Sequence, residues 1–108
     1  MPQDQEILKY LPLTESTYYI LVALATPLHG YGVMQKVETL SQGMVAIGPG
    51  TLYGAFQSLE KEGLIMKAGE EERRKIFAIT GKGWAVLEEQ IRRLEQMTRT
   101  GQVVLTGR

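Results

Sequence analysis

The sequence contains no cysteine and only one histidine, His29, among its 108 residues. Zinc sites and thiol nucleophiles depend on these two residue types, so the chain has too few of them for a metal centre or a cysteine-based active site. It also lacks any grouping of serine, acidic and basic residues that suggests catalysis. We therefore predict neither an enzyme nor a bound cofactor.

Long apolar runs are missing as well. No stretch approaches the roughly 20 residues that a helix needs to cross a bilayer. The segment Met1–Glu6 is polar and acidic, unlike the basic start of a secretion signal. These features predict a soluble, cytoplasmic protein.

Charge of neither sign predominates, since Lys plus Arg and Asp plus Glu number 12 each. A neutral chain has no overall field that attracts nucleic acid. Any binding to nucleic acid would therefore have to come from a local basic patch.

The length and the apolar content of 44% predict one domain with a thin core. Small domains often complete their burial by pairing with a second copy. Apolar helix faces that stay exposed are therefore expected to form a dimer surface.

Apolar residues at helical spacing predict three helices in the first 43 residues. A short amino-terminal helix precedes Pro12. Thr14 can cap the next helix, which ends before Pro27, and the last of the three follows a break at residues 29–32 and stops at Gly43. In chain order the three stripes are Ile7, Leu8 and Leu11; Thr17, Ile20, Leu21 and Leu24; and Val33, Val37 and Leu40. His29 lies in the break, where a lone histidine most often makes a local hydrogen bond.

The central region predicts a short strand, a helix and a hairpin. Met44–Ile47 is apolar and short enough for a strand, and Pro49 suits the first turn of a helix that Gly63 ends. The inward stripe of this helix is Leu52, Ala55, Phe56 and Leu59. The hairpin strands Leu64–Ala68 and Lys75–Ile79 are joined by Gly69 and a charged tip. The tip residues are Glu70, Glu71, Glu72, Arg73 and Arg74.

A final helix is predicted after Thr80, which can cap it. Its apolar residues recur every three or four positions, as in a coiled-coil seam. They are Trp84, Leu87, Ile91 and Leu94. The stripe could pair with a second copy or pack within one subunit, and we expect it to do both. Beyond Met97 the tail is expected to be frayed or irregular.

Helices followed by a two-stranded hairpin follow the plan of a winged helix-turn-helix protein. Three stretches and one short motif carry a closer likeness. They are Thr51-Leu52-Tyr53, residues 59–65, residues 74–80 followed by Gly83, and His29-Gly30-Tyr31. With these motifs in this order over residues 14–97, the sequence resembles the PadR family of bacterial transcriptional regulators.

The resemblance implies a mostly helical fold with a small β-hairpin, in one structural domain. Residues 1–79 would form the winged helix-turn-helix region with a short amino-terminal helix, and residues 80–108 the dimerisation helix and tail. The family likeness further implies a homodimeric repressor on an inverted-repeat operator, released by an effector of unknown identity. It assigns the dimer interface to Ile7, Leu8, Leu11, Trp84, Leu87, Ile91 and Leu94.

The resemblance also assigns the helix that begins at Pro49 to the major groove of double-stranded DNA. Tyr53, Gln57 and Ser58 are the groove-facing candidates, since glutamine pairs with adenine edges and hydroxyls bond phosphates or bases. Gly54 would allow a close approach to the duplex, and Thr51 lies at a helix start whose free amides suit a phosphate. Without the resemblance, these residues would be an ordinary solvated helix face.

Four cations are candidates for phosphate contacts, although neighbouring carboxylates could pair with them instead. They are Lys61, Arg73, Arg74 and Lys75. The wing carboxylates Glu70, Glu71 and Glu72 would oppose phosphate unless they point away. This acidic tip and the neutral charge support an alternative, a winged-helix module that binds proteins rather than DNA. A positive face around the helix that begins at Pro49 would favour DNA as the partner, whereas an acidic or apolar face would favour a protein.

Overall fold

A computed structural model describes residues 2–108, with side chains described from residue 5 onward. Within this range the chain is mostly helical, with a small antiparallel sheet, as the sequence predicts. In chain order the elements are α1 (Pro2–Leu8), α2 (Glu15–Ala23), β1 (Leu28–His29), α3 (Gly30–Leu40), α4 (Pro49–Lys61), β2 (Ile65–Glu71), β3 (Arg74–Ile79) and α5 (Gly81–Gly107).

Helix α2 is the centre of the core and begins as predicted. The hydroxyl of Thr14 accepts a hydrogen bond from the backbone N–H of Thr17 at 3.1 Å, which caps the first turn. The apolar stripe of α2 is completely buried and includes Ile20, Leu21 and, just after the helix, Leu24. Burial of this stripe between α3 and α5 stabilises the helix more than its own propensity does.

The predicted break at residues 29–32 is wrong, because α3 already begins at Gly30. His29 caps it, since its Nδ1 accepts the backbone N–H of Gly32 at 3.1 Å. The local hydrogen bond predicted for His29 is thereby confirmed. Helix propensity did not predict this helix start, because Gly30 and Gly32 in the first turn of α3 are typical of a loop and because histidine is an uncommon helix cap.

The sheet contains a strand that the sequence did not predict. Its order is β1-β3-β2, with Leu28 opposite Phe77 and His29 opposite Ile76. Two residues carry too little periodicity to be recognised as a strand. This pairing ties the start of α3 to the wing.

The hairpin of β2 and β3 is longer than predicted. Gly69, Glu70 and Glu71 belong to β2, and the turn is limited to Glu72 and Arg73, with positive φ angles of 50° and 67°. Positive φ at both central residues is characteristic of the two-residue turn that fits the twist of a hairpin. The tip is therefore an ordered ribbon, and its charges occupy defined positions.

Met44–Ile47 does not form the predicted strand. The place beside β3 is occupied by β1, and the backbone of Val45 is satisfied by Ser41 instead of by a sheet. The hydroxyl of buried Ser41 accepts the N–H of Val45 at 3.0 Å and reaches its carbonyl oxygen at 3.2 Å. Val45 and Ile47 are buried in this irregular segment, which explains its apolar character.

Replacing Ser41 by alanine is expected to lower the free energy of unfolding by about 1–3 kcal/mol, because it leaves a buried N–H without an acceptor. Urea denaturation followed by circular dichroism measures the change. Ser58→Ala is the matched control, since Ser58 is exposed and its loss should change stability by less than about 0.5 kcal/mol. Equal effects of the two substitutions would remove the bridging role from Ser41.

Helix α4 has the predicted bounds and inward face. Pro49 is its first residue, and Leu52, Phe56 and Leu59 are buried. The helix ends at Lys61, two residues before Gly63, whose φ is 78°, and the N–H of Leu64 donates to the carbonyl of Leu59 at 2.9 Å. This termination turns the chain directly into the hairpin.

The irregular tail predicted beyond Met97 is wrong, because α5 continues to Gly107. Side-chain contacts one turn apart support the exposed part of the helix, including Arg92 with Glu88 and Arg99 with Gln96. Gly101 costs a helix about 1 kcal/mol relative to alanine, which is too little to end it here.

Helix α1 packs on the start of α5 through Lys82. Its ammonium group donates to the carbonyl of Glu62 at 3.0 Å, lies 3.5 Å from the carboxylate of Glu6, and sits 5.0 Å from the ring centroid of Tyr10. The contact with Tyr10, together with the charge of Glu6, raises the pKa of Lys82 above 10.5. Lys82 therefore stays charged and joins α1 to the rest of the fold.

Candidate nucleic-acid interface

A cleft of about 650 Å³ lies between the start of α3, the outer side of α4 and the tip of the hairpin. It brings together residues predicted on separate segments of the chain. From the predicted set the cleft gathers Tyr53, Gln57, Arg73, Arg74 and Lys75. The recognition-helix candidates and the wing cations thus form one continuous surface.

The other predicted contacts on α4 lie outside the cleft but remain exposed. Ser58 and Lys61 line a shallow depression further along the helix, which shares Gln57 with the cleft. Thr51 and Gly54 are exposed on the same helix. Gly48, at the cap position of α4, provides no side-chain hydrogen bond to the first-turn amides, which leaves them available to an acceptor.

Tyr53 is held by the start of α3. Its ring packs edge-on against Phe56, with 6.1 Å between ring centroids, and its hydroxyl lies over Gly30. A Cβ atom on Gly30 would come within 2.6 Å of that hydroxyl oxygen, so any larger residue there would displace the ring of Tyr53. Gly30 thus leaves room for the ring of Tyr53, which is 53% exposed and lines the cleft.

Sequence reasoning missed the contribution of α3 to the cleft. His29, Gly30 and Tyr31 line it, and the Nε2 atom of His29 lies 3.3 Å from a guanidinium nitrogen of Arg74. The motif His29-Gly30-Tyr31 was the available signal, but Gly30 and the following Gly32 were interpreted as a break. Glu60 also lines the cleft and contributes the carboxylate among its lining residues.

The charge of the cleft is locally positive. Arg73, Arg74 and Lys75 face a single lining carboxylate, that of Glu60. The cross-strand register sets Glu70 opposite Lys75 and Glu71 opposite Arg74. For side chains from residue 5 onward, however, the ion pairs shorter than 4 Å involve Lys82 and Arg92 rather than these wing cations. The lining of the cleft thus carries three cations and one carboxylate, while Glu70, Glu71 and Glu72 lie beside it on the hairpin.

The predicted dimer residues divide into two groups. The prediction of a dimer contact is wrong for Ile7 and Leu87, because they are 7% and 4% exposed and belong to the core of the single chain. Leu11 is partly buried against that core. The free apolar side chains are Leu8, Trp84, Ile91 and Leu94, which are 37–48% exposed.

The exposed apolar face of α5 extends into the region expected to be irregular. Met97, Val104 and Leu105 are 59–67% exposed. Met97 and Leu105 lie three and eleven residues beyond Leu94, and Val104 lies seven beyond Met97, each step being close to a whole number of helical turns. A helix with a long exposed apolar face is characteristic of a partner surface.

Residues 5–108 bring no three His, Asp or Glu side chains together as metal ligands. None of the helices in the described part of the chain combines the length and apolarity that a membrane span needs.

The helices, the hairpin and the basic cleft between them define a winged helix-turn-helix protein. Residues 20–89 match the family described as the transcriptional regulator PadR-like family. The chain belongs to this family, which consists of transcriptional regulators rather than enzymes. The predicted family, fold class and non-enzymatic character are thereby confirmed.

Individual relatives agree with this assignment. The transcriptional regulator YqjI of Escherichia coli is 33% identical over 69 residues, which cover 64% of this chain and 33% of YqjI. A transcriptional regulator of known structure from Clostridium thermocellum is 26% identical, with a TM-score of 0.68 and coverage of 89% and 90% of the two chains. BpsR of Bordetella bronchiseptica, whose DNA binding is regulated by 6-hydroxynicotinic acid, has a TM-score of 0.65 at 20% identity, covering 92% of this chain and 70% of BpsR.

The matched region spans a third or less of the length of the curated relatives.

Proposed function

We propose that the protein is a homodimeric transcriptional repressor that binds an inverted-repeat operator in double-stranded DNA. Helix α4 would enter the major groove, and the wing would follow the adjacent backbone. The observation that carries this proposal is the cleft, in which Tyr53 and Gln57 of α4 meet the three wing cations. Glutamine can read a base edge, and the cations neutralise phosphates.

The apolar face of α5 supports the homodimer. Ile91, Leu94 and Met97 are exposed at intervals of three residues, which keeps them on one side of the helix, and Trp84, seven residues before Ile91, extends the face towards the domain. A two-fold dimer would carry two α4 helices about 34–36 Å apart, one helical turn of DNA. That spacing predicts an inverted repeat as the operator.

Release by an effector forms the last part of the proposal. BpsR shares the fold, and its DNA binding is regulated by a small aromatic acid. A signal that changes how the paired α5 helices cross would alter the spacing of the two α4 helices and weaken operator binding.

The first experiment combines light scattering with a gel-shift assay on DNA taken from just upstream of the gene. The proposal requires a dimer that binds this DNA more tightly than random DNA, with an affinity that falls steeply with salt. If the protein forms no complex with this DNA even at low salt, the proposal is rejected. A monomer that still binds operator DNA would reject the homodimer.

Gln57→Ala is expected to reduce discrimination between operator and random DNA about tenfold, because one base-edge contact is lost. Binding to random DNA should be unchanged, since Gln57 carries no charge. Competition gel shifts with both DNAs measure the ratio. The matched control is Gln96→Ala, an exposed glutamine on α5, which should leave discrimination intact. Unchanged discrimination in Gln57→Ala would remove this residue from base reading.

The acidic tip of the wing favours a second candidate function. Glu70, Glu71 and Glu72 are exposed at the end of an ordered ribbon, which suits a basic protein partner. This alternative would be supported by a dimer that binds no DNA at low salt but forms a complex with a basic protein, provided that the stability of the complex depends on these glutamates.

A further inference from the structure

Two hydrogen-bond donors approach the imidazole of His29. Its Nδ1 lies 3.1 Å from the backbone nitrogen of Gly32, and its Nε2 lies 3.3 Å from Nη1 of Arg74. A neutral imidazole has one acceptor nitrogen and one N–H, whereas a backbone amide and a guanidinium only donate. One of the two donors must therefore lack its acceptor.

The Gly32 amide has the stronger requirement for the ring. It belongs to the first turn of α3, where amides have no partner within the helix, and His29 is the residue that caps this turn. Arg74 is exposed, so its donors can bond water instead. With Nδ1 accepting from Gly32, the proton of the neutral ring is on Nε2, and two N–H groups face each other at 3.3 Å.

The strand pairing keeps this contact in place. β1 sets His29 opposite Ile76, two residues from Arg74 on the same wing strand. The carboxylate nearest in register to Arg74 is that of Glu71, yet the ion pairs within residues 5–108 do not include this combination. The guanidinium of Arg74 is therefore available to a ligand.

Two facing donors are both satisfied by one acceptor that lies within reach of each. The positive charge of Arg74 favours an anion, and the oxygens of a phosphate group accept several hydrogen bonds. The pair lines the cleft beside Gln57, so a phosphate held here would be adjacent to the groove that α4 reads. Resting on the DNA binding proposed above, we infer that His29 and Arg74 jointly bind one backbone phosphate of the DNA.

His29→Asn tests the inference, because asparagine is also a good helix cap but its shorter side chain does not reach the phosphate. The thermal midpoint should stay the same, while affinity for a random-sequence duplex should fall about five- to tenfold. A random duplex suffices because phosphate contacts do not depend on sequence.

Salt dependence separates the two members of the pair. His29→Asn should leave the slope of log affinity against log salt unchanged, since a neutral donor releases no counterion. Arg74→Gln should reduce that slope by about one unit. A change of slope in His29→Asn, or a lowered thermal midpoint as its sole effect, would overturn the inference.

The double variant tests whether the phosphate is shared. Partners on one phosphate are not independent, so His29→Asn with Arg74→Gln should lose less affinity than the product of the single losses. Lys61→Gln, which lies in the neighbouring depression, is the control and should combine multiplicatively with His29→Asn. Multiplicative behaviour of the His29 and Arg74 variants would overturn the shared contact.

A direct readout is available because His29 is the only histidine in the sequence. Nitrogen NMR of the protein labelled with ¹⁵N-histidine, at mildly alkaline pH, should show a protonated Nε2 whose signal shifts when the random duplex is added. The opposite tautomer would overturn the inference, as would an equal shift with inorganic phosphate at matched concentration.

The outcomes distinguish this inference from the proposed function. Salt-sensitive DNA binding by the wild type together with wild-type affinity in His29→Asn would overturn the phosphate contact alone. Absence of DNA binding by the wild type would overturn both.

Discussion

Gly83→Ala is expected to destabilise the protein by about 3 kcal/mol, at the upper end of what overpacking a well-filled interior usually costs. Gly83 is a buried residue in the first turn of α5. A Cβ atom there would lie against the carbonyl oxygen of Leu64, well inside van der Waals contact, and 2.6 Å from Cγ1 of Ile79. A small domain has only about 5–15 kcal/mol of stability, so this loss is a large fraction of it.

The neighbours of Gly83 cannot move away without further cost. The carbonyl of Leu64 accepts the N–H of Thr80 at 3.0 Å, and the hydroxyl of Thr80 donates to the carbonyl of Gly63 at 2.6 Å. These bonds join the end of α4, the hairpin and the start of α5. Displacing Leu64 would disturb all three elements.

Gly54→Ala, inside helix α4, is the control. A Cβ atom at Gly54 meets nothing within 4 Å, so the substitution should stabilise that helix by up to about 1 kcal/mol. Urea denaturation at one fixed protein concentration gives both changes. Similar effects of the two substitutions would show that close packing at Gly83 is not what requires glycine.

The double substitution Ile91→Glu with Leu94→Glu is expected to convert the protein to a monomer and to lower operator affinity about 100-fold or more. Both side chains are exposed on the apolar face of α5, at 40% and 37%. In the proposed dimer they would bury carboxylates without partners, which is strongly unfavourable. A monomer engages one half-site and loses the effective concentration that links the two.

Gln96→Glu with Val103→Glu is the matched control. These two positions are seven residues apart on α5, close to two helical turns, and they lie on the side opposite the apolar face. The control should remain dimeric and bind DNA with nearly wild-type affinity. Light scattering and gel shifts measure both properties, and circular dichroism checks that the helices persist. A dimer that survives the substitutions at Ile91 and Leu94 would place the interface elsewhere.

Much of the fold could be predicted from the sequence because its signals are local. The hydroxyl of Thr14, the ring of Pro49 and the positive φ of Gly63 act within one helical turn, and each marks a helix end in the structure. Where a local signal was ambiguous, contacts with distant residues decided the outcome. Met44–Ile47 has the composition of a strand, but β1 took the position beside β3.

The candidate site shows the same division. Gln57 and Arg74 were predicted separately, one from the outer face of a helix and the other from the charge of a wing. Their common cleft depends on the pairing of β1 with β3, which also brings in His29. A two-residue strand is too short for its pattern to predict a partner 45 or more residues away.

The family motifs, the order of the main helices, the hairpin and the apolar stripe of α5 are all legible in the sequence, because motifs, caps, prolines and the helical period involve near neighbours in the chain. The folded structure was needed to show that Leu87 is a core residue while Ile91 is exposed, and that the imidazole of His29 faces the guanidinium of Arg74. Burial and side-chain contact are properties of segments brought together by folding. They depend on how the whole chain packs and not on the residues adjacent in sequence.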